Sequence, residues 1–168
     1  MHRAPRYGLL VVLLLQAGGA GAIKVGEVAP DFDVASLRGD GRVSLAQHRG
    51  KVVLLDFWAS WCVPCAASVP HYQQLRSALS GRGFELVALG LDENVADGRA
   101  FLDRFAVGYP AGSDPEGTVA SRYALKGMPY AVLIDRDGVV RATHVGFEPA
   151  DIEGLRARIE QLLRDGDG

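Results

Sequence analysis

The chain's two cysteines, Cys62 and Cys65, are separated by two residues and follow directly on an apolar run, in "VVLLDFWASWCVPC". Four consecutive aliphatic residues, bounded by Lys51 and the cysteine loop, suit a strand buried on both faces of a sheet. Behind the pair, Val69, Tyr72, Leu75 and Leu79 recur at helical spacing up to "SGRG". The cysteines therefore sit where a buried strand gives way to a helix starting near Val63, with Pro70 expected to kink it.

The alternation continues along the chain. "FELVALGL" is the next apolar strand, and "DEN" leads into a helix with Phe101, Leu102 and Phe105 on one side. "YPAGSDPEGTVASRYAL" reads as a loop feeding a short helix, with Asp114 as N-cap and Pro115 at the first helical position. "YAVLID" and "VVRATHVG" flank "RDG" as a hairpin, and Ile152, Leu155, Ile159, Leu162 and Leu163 stripe a closing helix that Pro149 helps to start. Upstream, residues 23–51 form an extended lead-in that turns back at Gly39-Asp40-Gly41. A chain of 168 residues, 48% hydrophobic, supports one such core, placed over residues 23–168.

Residues 1–22 are read as a secretory signal peptide: Arg3 and Arg6 precede the apolar run Leu9 to Leu15, and Ala20 and Ala22 make an A-x-A cleavage site before Ile23. The run is short for the roughly 20 residues of a membrane-spanning helix. The expected location is therefore periplasmic or otherwise extracytoplasmic, with a membrane-anchored form if the segment stays uncleaved. The net charge of −2, which loses two further arginines on cleavage, gives no bias toward nucleic acid.

Two cysteines this close are not a structural staple, because the loop they close is too small to restrict the unfolded chain much. They are half of a tetrahedral zinc site, with no second CxxC to complete it. His48, His71 and His144 are isolated and are read as surface or turn residues, so no metal ligand is assigned.

The segments "APDF", "GKVVLLDFWASWCVPC", Pro70 and "GMPYAVLIDRDGVV", in that order, resemble the TlpA/ResA branch of the thioredoxin superfamily over residues 25 to 165. The resemblance implies the thioredoxin fold: an α/β domain with a central mixed β-sheet flanked by helices, here with an N-terminal β-hairpin extension. The peroxiredoxin group shares "APDF", but its P-x-x-x-T-x-x-C motif needs a proline at Leu55 and a threonine at Ala59.

At a helix start, Cys62 meets free backbone N–H groups and the positive end of the dipole, which favour a thiolate; it is the expected nucleophile. Cys65, one turn further in, is the resolving cysteine that releases the product from a mixed disulfide. No cofactor beyond a redox-active Cys62–Cys65 disulfide is called for. Pro64 sets the turn, and uncharged Val63 leaves the thiolate only moderately stabilised, which points to a reductant. The resemblance implies that Pro129 is a cis-proline against the pair, with Met128 before it available to substrate. Trp61, Val63, Pro64, Met128 and Pro129 are the expected substrate contacts, Trp58 and Trp61 being packing residues first and Trp61 also covering the disulfide edge. Asp56 falls where thioredoxin has a buried aspartate, which implies a proton acceptor behind Cys65; a solvated strand end is the other reading.

Two positions depart from the branch. Ser68 stands where many members carry a glutamate, and Tyr130 follows Pro129 where members dedicated to cytochrome c maturation often have a glutamate. The expected function is an exported thiol:disulfide oxidoreductase that reduces protein disulfides, as a monomer, with a membrane thiol donor as electron source and cytochrome or oxidase maturation as one setting. Net thiol oxidation, or a non-catalytic copper-carrying or redox-sensing module, is the alternative.

Overall fold

The computed structural model describes residues 23–165. The apolar runs make the middle of a five-stranded sheet. β3 (Val52–Trp58) and β4 (Phe84–Gly90) are buried at every position and pair in parallel, with Leu54 opposite Leu86 and Asp56 opposite Ala88. β6 (Tyr130–Ile134) runs antiparallel on the other side of β3, and β7 (Val140–Val145) pairs antiparallel with β6. With β5 (Ala111–Ser113) beside β4, the order is β5-β4-β3-β6-β7.

Parallel β3 and β4 need a crossover, and α1 (Val63–Leu79) supplies it. Its Val69, Tyr72, Leu75 and Leu79 are buried against Val52, Leu54 and Trp58 of β3, and the helix continues through Pro70. Ile159 and Leu163 of α4 (Asp151–Asp165) and Phe101 and Leu102 of α2 (Val95–Arg104) join this core. Because side chains alternate along a strand, Val53, Leu55 and Phe57 face the other way. There they meet Val119 and Ala120 of α3 (Thr118–Arg122) and an extension from the N-terminal lead-in. The extension is the expected hairpin: β1 (Asp33–Ala35) against β2 (Arg42–Ser44), turning at Gly39 with φ 67°. A short 3₁₀ turn, Leu45–His48, links it to β3.

Three expectations are corrected. The segment read wholly as a loop contains β5, which the Gly-Ser-Pro composition hides; Leu37 N–H donates to the Ala111 carbonyl at 2.8 Å and holds the hairpin extension beside it. α3 starts after Gly117, not at Pro115, because Asp114 to Gly117 form a turn first (Gly117 N–H to Asp114 C=O, 3.0 Å) that needs φ 63° at its last residue. Asp114 still caps the helix, its carboxylate accepting from Val119 N–H at 3.1 Å and Ala120 N–H at 2.9 Å. His48 is a turn residue, as read, but not a surface one: the 3₁₀ turn buries it, neither ring nitrogen has a hydrogen-bond partner among the described residues, and burial pulls its pKa below the ordinary imidazole value.

Val28, near the start of the described chain, and Leu163, in the last turn of α4, both lie by the start of β3. Val28 bridges Val139 in the β6–β7 turn, and the Leu163 carbonyl of α4 accepts from Arg136 at 3.1 Å. The cysteines lie past the other end of β3. The signal-peptide segment falls outside the described residues.

Candidate active site

Cys62 is the N-cap of α1, in extended conformation, and its Sγ accepts from the Cys65 backbone N–H at 3.3 Å. An N-cap normally carries an oxygen acceptor. A sulfur there accepts the same N–H, and a thiolate accepts it more strongly than a thiol. The two cysteines form a disulfide with S–S 2.05 Å and Cα–Cα 5.2 Å. Cys62 is 5% exposed and Cys65 1%, so a partner reaches Cys62 first by a narrow margin. The first turn of α1 holds no acidic residue, and Val63 and Pro64 within it are exposed.

The loop that delivers Cys62 is braced from a distance. Asp92, buried just after β4, accepts from Ser60 N–H at 3.0 Å and from Ser60 Oγ at 2.6 Å. Cys62 N–H donates to Ala59 C=O at 3.1 Å. Sequence reasoning treated Asp92 only as an acidic helix entry; its position at the sheet end that also carries Ser60 was the available signal.

Asp56 lies inside β3, two residues before its end, and is 2% exposed. The solvated strand end is thereby corrected: β3 runs on through Trp58, flanked by β4 and β6, so no water-exposed end exists at Asp56. Alternation puts it on the face of Leu54 and Trp58, in the core that contains Cys65. Its Oδ1 has no hydrogen-bond partner among the described residues, and burial raises its pKa well above the ordinary carboxylate value. Tyr72 and Tyr109, buried in the same core, have their pKa values pushed up by burial first and by the Asp56 charge second. Neither tyrosine stood out in the sequence as a neighbour of Asp56, since one comes from α1 and the other from the loop before β5.

Ser68 is fully buried and donates its hydroxyl to the Cys65 carbonyl at 2.9 Å. Asp56 thus has no acid on α1 beside it. The two tryptophans divide. Trp58 is buried and stacks on Phe101 with ring centroids 4.4 Å apart. Trp61 is 68% exposed, which overturns packing as its first role and leaves the readings as a cover at the disulfide edge and a substrate contact: it precedes the N-cap, where the chain turns outward over the rim.

The Met128–Pro129 peptide is cis. Met128 packs against the core that includes Cys62 and Cys65, while the Pro129 carbonyl accepts from Gly146 N–H at 2.8 Å. Trp61, Val63, Pro64 and Met128 thus all stand at the end of the sheet where the disulfide lies. His71 faces the Phe147 ring at 5.3 Å, and His144 Nε2 lies 3.1 Å from Asp151 Oδ2. Among the described residues no group of three His, Cys, Asp or Glu side chains is placed to hold a metal ion.

Residues 25–143 match the AhpC/TSA family. A thiol-disulfide oxidoreductase ResA of Geobacillus kaustophilus is 33% identical over 133 residues, 79% of this chain and 76% of its own. ResA of Bacillus thuringiensis is 28% identical over 163 residues, 89% of this chain and 94% of that one. Among solved structures, a Chlorobium tepidum protein provisionally called a thiol:disulfide interchange protein DsbE superposes with a TM-score of 0.81 at 41% identity, covering 84% of this chain and 99% of its own.

Proposed function

The chain belongs to the AhpC/TSA family, among its TlpA/ResA-like thiol-disulfide oxidoreductases, and from that premise we propose that it is an exported reductant of protein disulfides. Acting on protein thiols and disulfides is the activity of the group; the direction, the compartment and the residue roles are our reading. The observation that carries the direction is the setting of Cys62. Its Sγ takes one backbone N–H at the start of α1, and Val63-Pro64 adds no positive partner, so the thiolate is stabilised only moderately.

In the reduced pair, the Cys62 thiolate attacks one sulfur of a substrate disulfide, forming a mixed disulfide and expelling the first substrate thiolate. Cys65 passes its proton to the Asp56 carboxylate and attacks the Cys62 sulfur, which releases the second substrate thiolate. Two electrons have moved to the substrate, and the Cys62–Cys65 disulfide of this structure is the oxidised product. Return to the dithiol needs a thiol donor, for which a membrane partner is proposed. Trp61, Val63, Pro64, Met128 and Pro129 form the rim a substrate crosses to reach Cys62. The protein works as a monomer with no cofactor beyond its disulfide, with cytochrome or oxidase maturation as one setting.

The reduction potential, measured by equilibration with glutathione buffers, tests this. The expected value lies below roughly −200 mV, and a value near −120 mV, that of a strong oxidant, would assign the protein to net thiol oxidation. Failure to accelerate insulin reduction by dithiothreitol would favour a non-catalytic module. Mass spectrometry of protein from its native host should find Ile23 as the first residue; persistence of residues 1–22 in a membrane fraction would favour the anchored form.

A further inference from the structure

Among the described residues, the sheet has an open edge that leads to the disulfide. β7 pairs with β6 on one side only. Near its start the other side is covered: Val140 N–H donates to Glu27 C=O at 2.9 Å, Gly26 N–H donates to Val140 C=O at 2.8 Å, and the Arg158 guanidinium donates to Arg141 C=O at 3.1 Å. Beyond Arg141 the register decides which groups point outward. Gly146 N–H bonds to Pro129 C=O, so the inward positions are 146, 144 and 142. The N–H and C=O groups of Thr143 and Val145 therefore face away from β6, and no described backbone group pairs with them. Both residues are exposed, Val145 at 48%.

Exposed edges of this kind are usually blunted by lysine, proline or a covering segment, because they template pairing with other chains. Here the open part is "THV", with two β-branched residues, neither lysine nor proline, and the single bulge placed further back near Ile134. Along the same strand runs a groove of about 370 Å³, between Ala142 and His144 on one side and Ile152 and Leu155 of α4 on the other, floored by Tyr72 and Phe147. Thr143, whose side chain points to the opposite face, lines this groove through its backbone. The edge also ends at the reactive rim. Val145 Cγ1 lies 3.2 Å from where a Cβ on Gly127 would sit, and Gly127 directly precedes Met128–Pro129.

We propose that the outer edge of β7 binds an extended, locally unfolded stretch of the disulfide-bearing substrate protein as an added strand. The outward groups of Thr143 and Val145 hold its backbone, and the groove takes one of its apolar side chains. The inference rests on the reading that protein disulfides are the substrate, since a chain laid along this edge arrives at the Met128–Pro129 loop and so at Cys62. Backbone pairing is blind to sequence, and the groove asks only for an apolar side chain. The site therefore selects for local unfolding around a cysteine more than for a particular partner.

Thr143→Pro and Val145→Pro each remove one outward N–H while leaving every bond to β6 in place, a substitution edge strands tolerate. Each is expected to raise KM for insulin about 3- to 10-fold, the loss of one hydrogen bond, with kcat and the rate toward hydroxyethyl disulfide unchanged. Independently of those variants, a Cys65→Ser protein trapped as a mixed disulfide with a short cysteine peptide should show slowed amide hydrogen exchange at Thr143 and Val145. Unchanged KM together with unprotected amides overturns the proposal. A concentration-dependent dimer in which these amides are protected without any substrate also overturns it, giving the edge to a second copy. Absence of insulin reduction by the unsubstituted protein would count against the reductase reading itself, while amide exchange in the trapped complex still decides the edge.

Discussion

Replacing Asp56 with asparagine separates the cost of this residue from its use. The carboxylate is 2% exposed, Oδ1 has no hydrogen-bond partner among the described residues, and burial alone holds its pKa well above the ordinary value. A buried polar group left unsatisfied costs about 1–3 kcal/mol, and more when charged. Asp56→Asn should therefore stabilise the oxidised protein at neutral pH, by about 1.4 kcal/mol for each pKa unit between the unfolded value and the lower of the pH and the folded value, each kcal/mol raising Tm by about 2–4 °C in a domain of this size. The sign of the pH dependence follows from the raised folded-state pKa. Below the unfolded carboxyl value of about 4 both states are protonated, and aspartate and asparagine proteins differ little. As pH rises from there toward the folded-state pKa, only the unfolded chain ionises freely, so the aspartate protein loses stability and the gap widens. Above the folded-state pKa the gap is constant. The same substitution removes the acceptor for the Cys65 proton, so release of reduced substrate should slow by about 10- to 100-fold, with the Cys62 alkylation rate nearly unchanged. Urea melts across the pH range and stopped-flow turnover measure both effects. A stability gap that ignores pH, together with unchanged turnover, would refute the reasoning.

Cys65→Ser should accumulate covalent complexes with substrate proteins on non-reducing gels and Cys62→Ser should not; equal trapping by both would reverse or abolish the assigned roles. Gly112→Ala places a Cβ 2.5 Å from Val34 Cγ2 and 2.9 Å from Leu89 Cδ2, where the hairpin extension crosses β5. The overpacking should cost about 1–3 kcal/mol, read as a lower urea midpoint, and an unmoved midpoint would show that the extension yields freely.

β3, β4 and β6 were legible because they are buried on both faces, which leaves uninterrupted apolar runs that no surface element needs. The redox pair was legible because its chemistry demands a fixed local spacing. What escaped depends on contacts between distant segments. β5 is three small residues whose strand character comes from β4 and the extension beside it, not from their own propensity. The burial of His48 and the exposure of Trp61 escaped, since neither local pattern says which indole or imidazole the rest of the chain will cover. Asp56 looked like the end of a strand because the apolar run stops near it, whereas the sheet continues through Trp58. The Ser60–Asp92 bond joins two loops that the sequence keeps apart and the parallel pairing of β3 with β4 brings to one end.

Val28 and the last turn of α4 at Leu163 lie at the same pole of the domain, and the disulfide occupies the opposite one. The seven residues of β3 alone separate the poles by about 23 Å at strand rise. Anything coupled at Val28 or beside Leu163, whether a partner or the linker to a coated chip, hangs from the blunt end and leaves the reactive tip pointing into solution. A sample immobilised through the exposed Val28 position should thus keep its full rate toward a bulky substrate, whereas one attached through the exposed rim at Val63 should lose it.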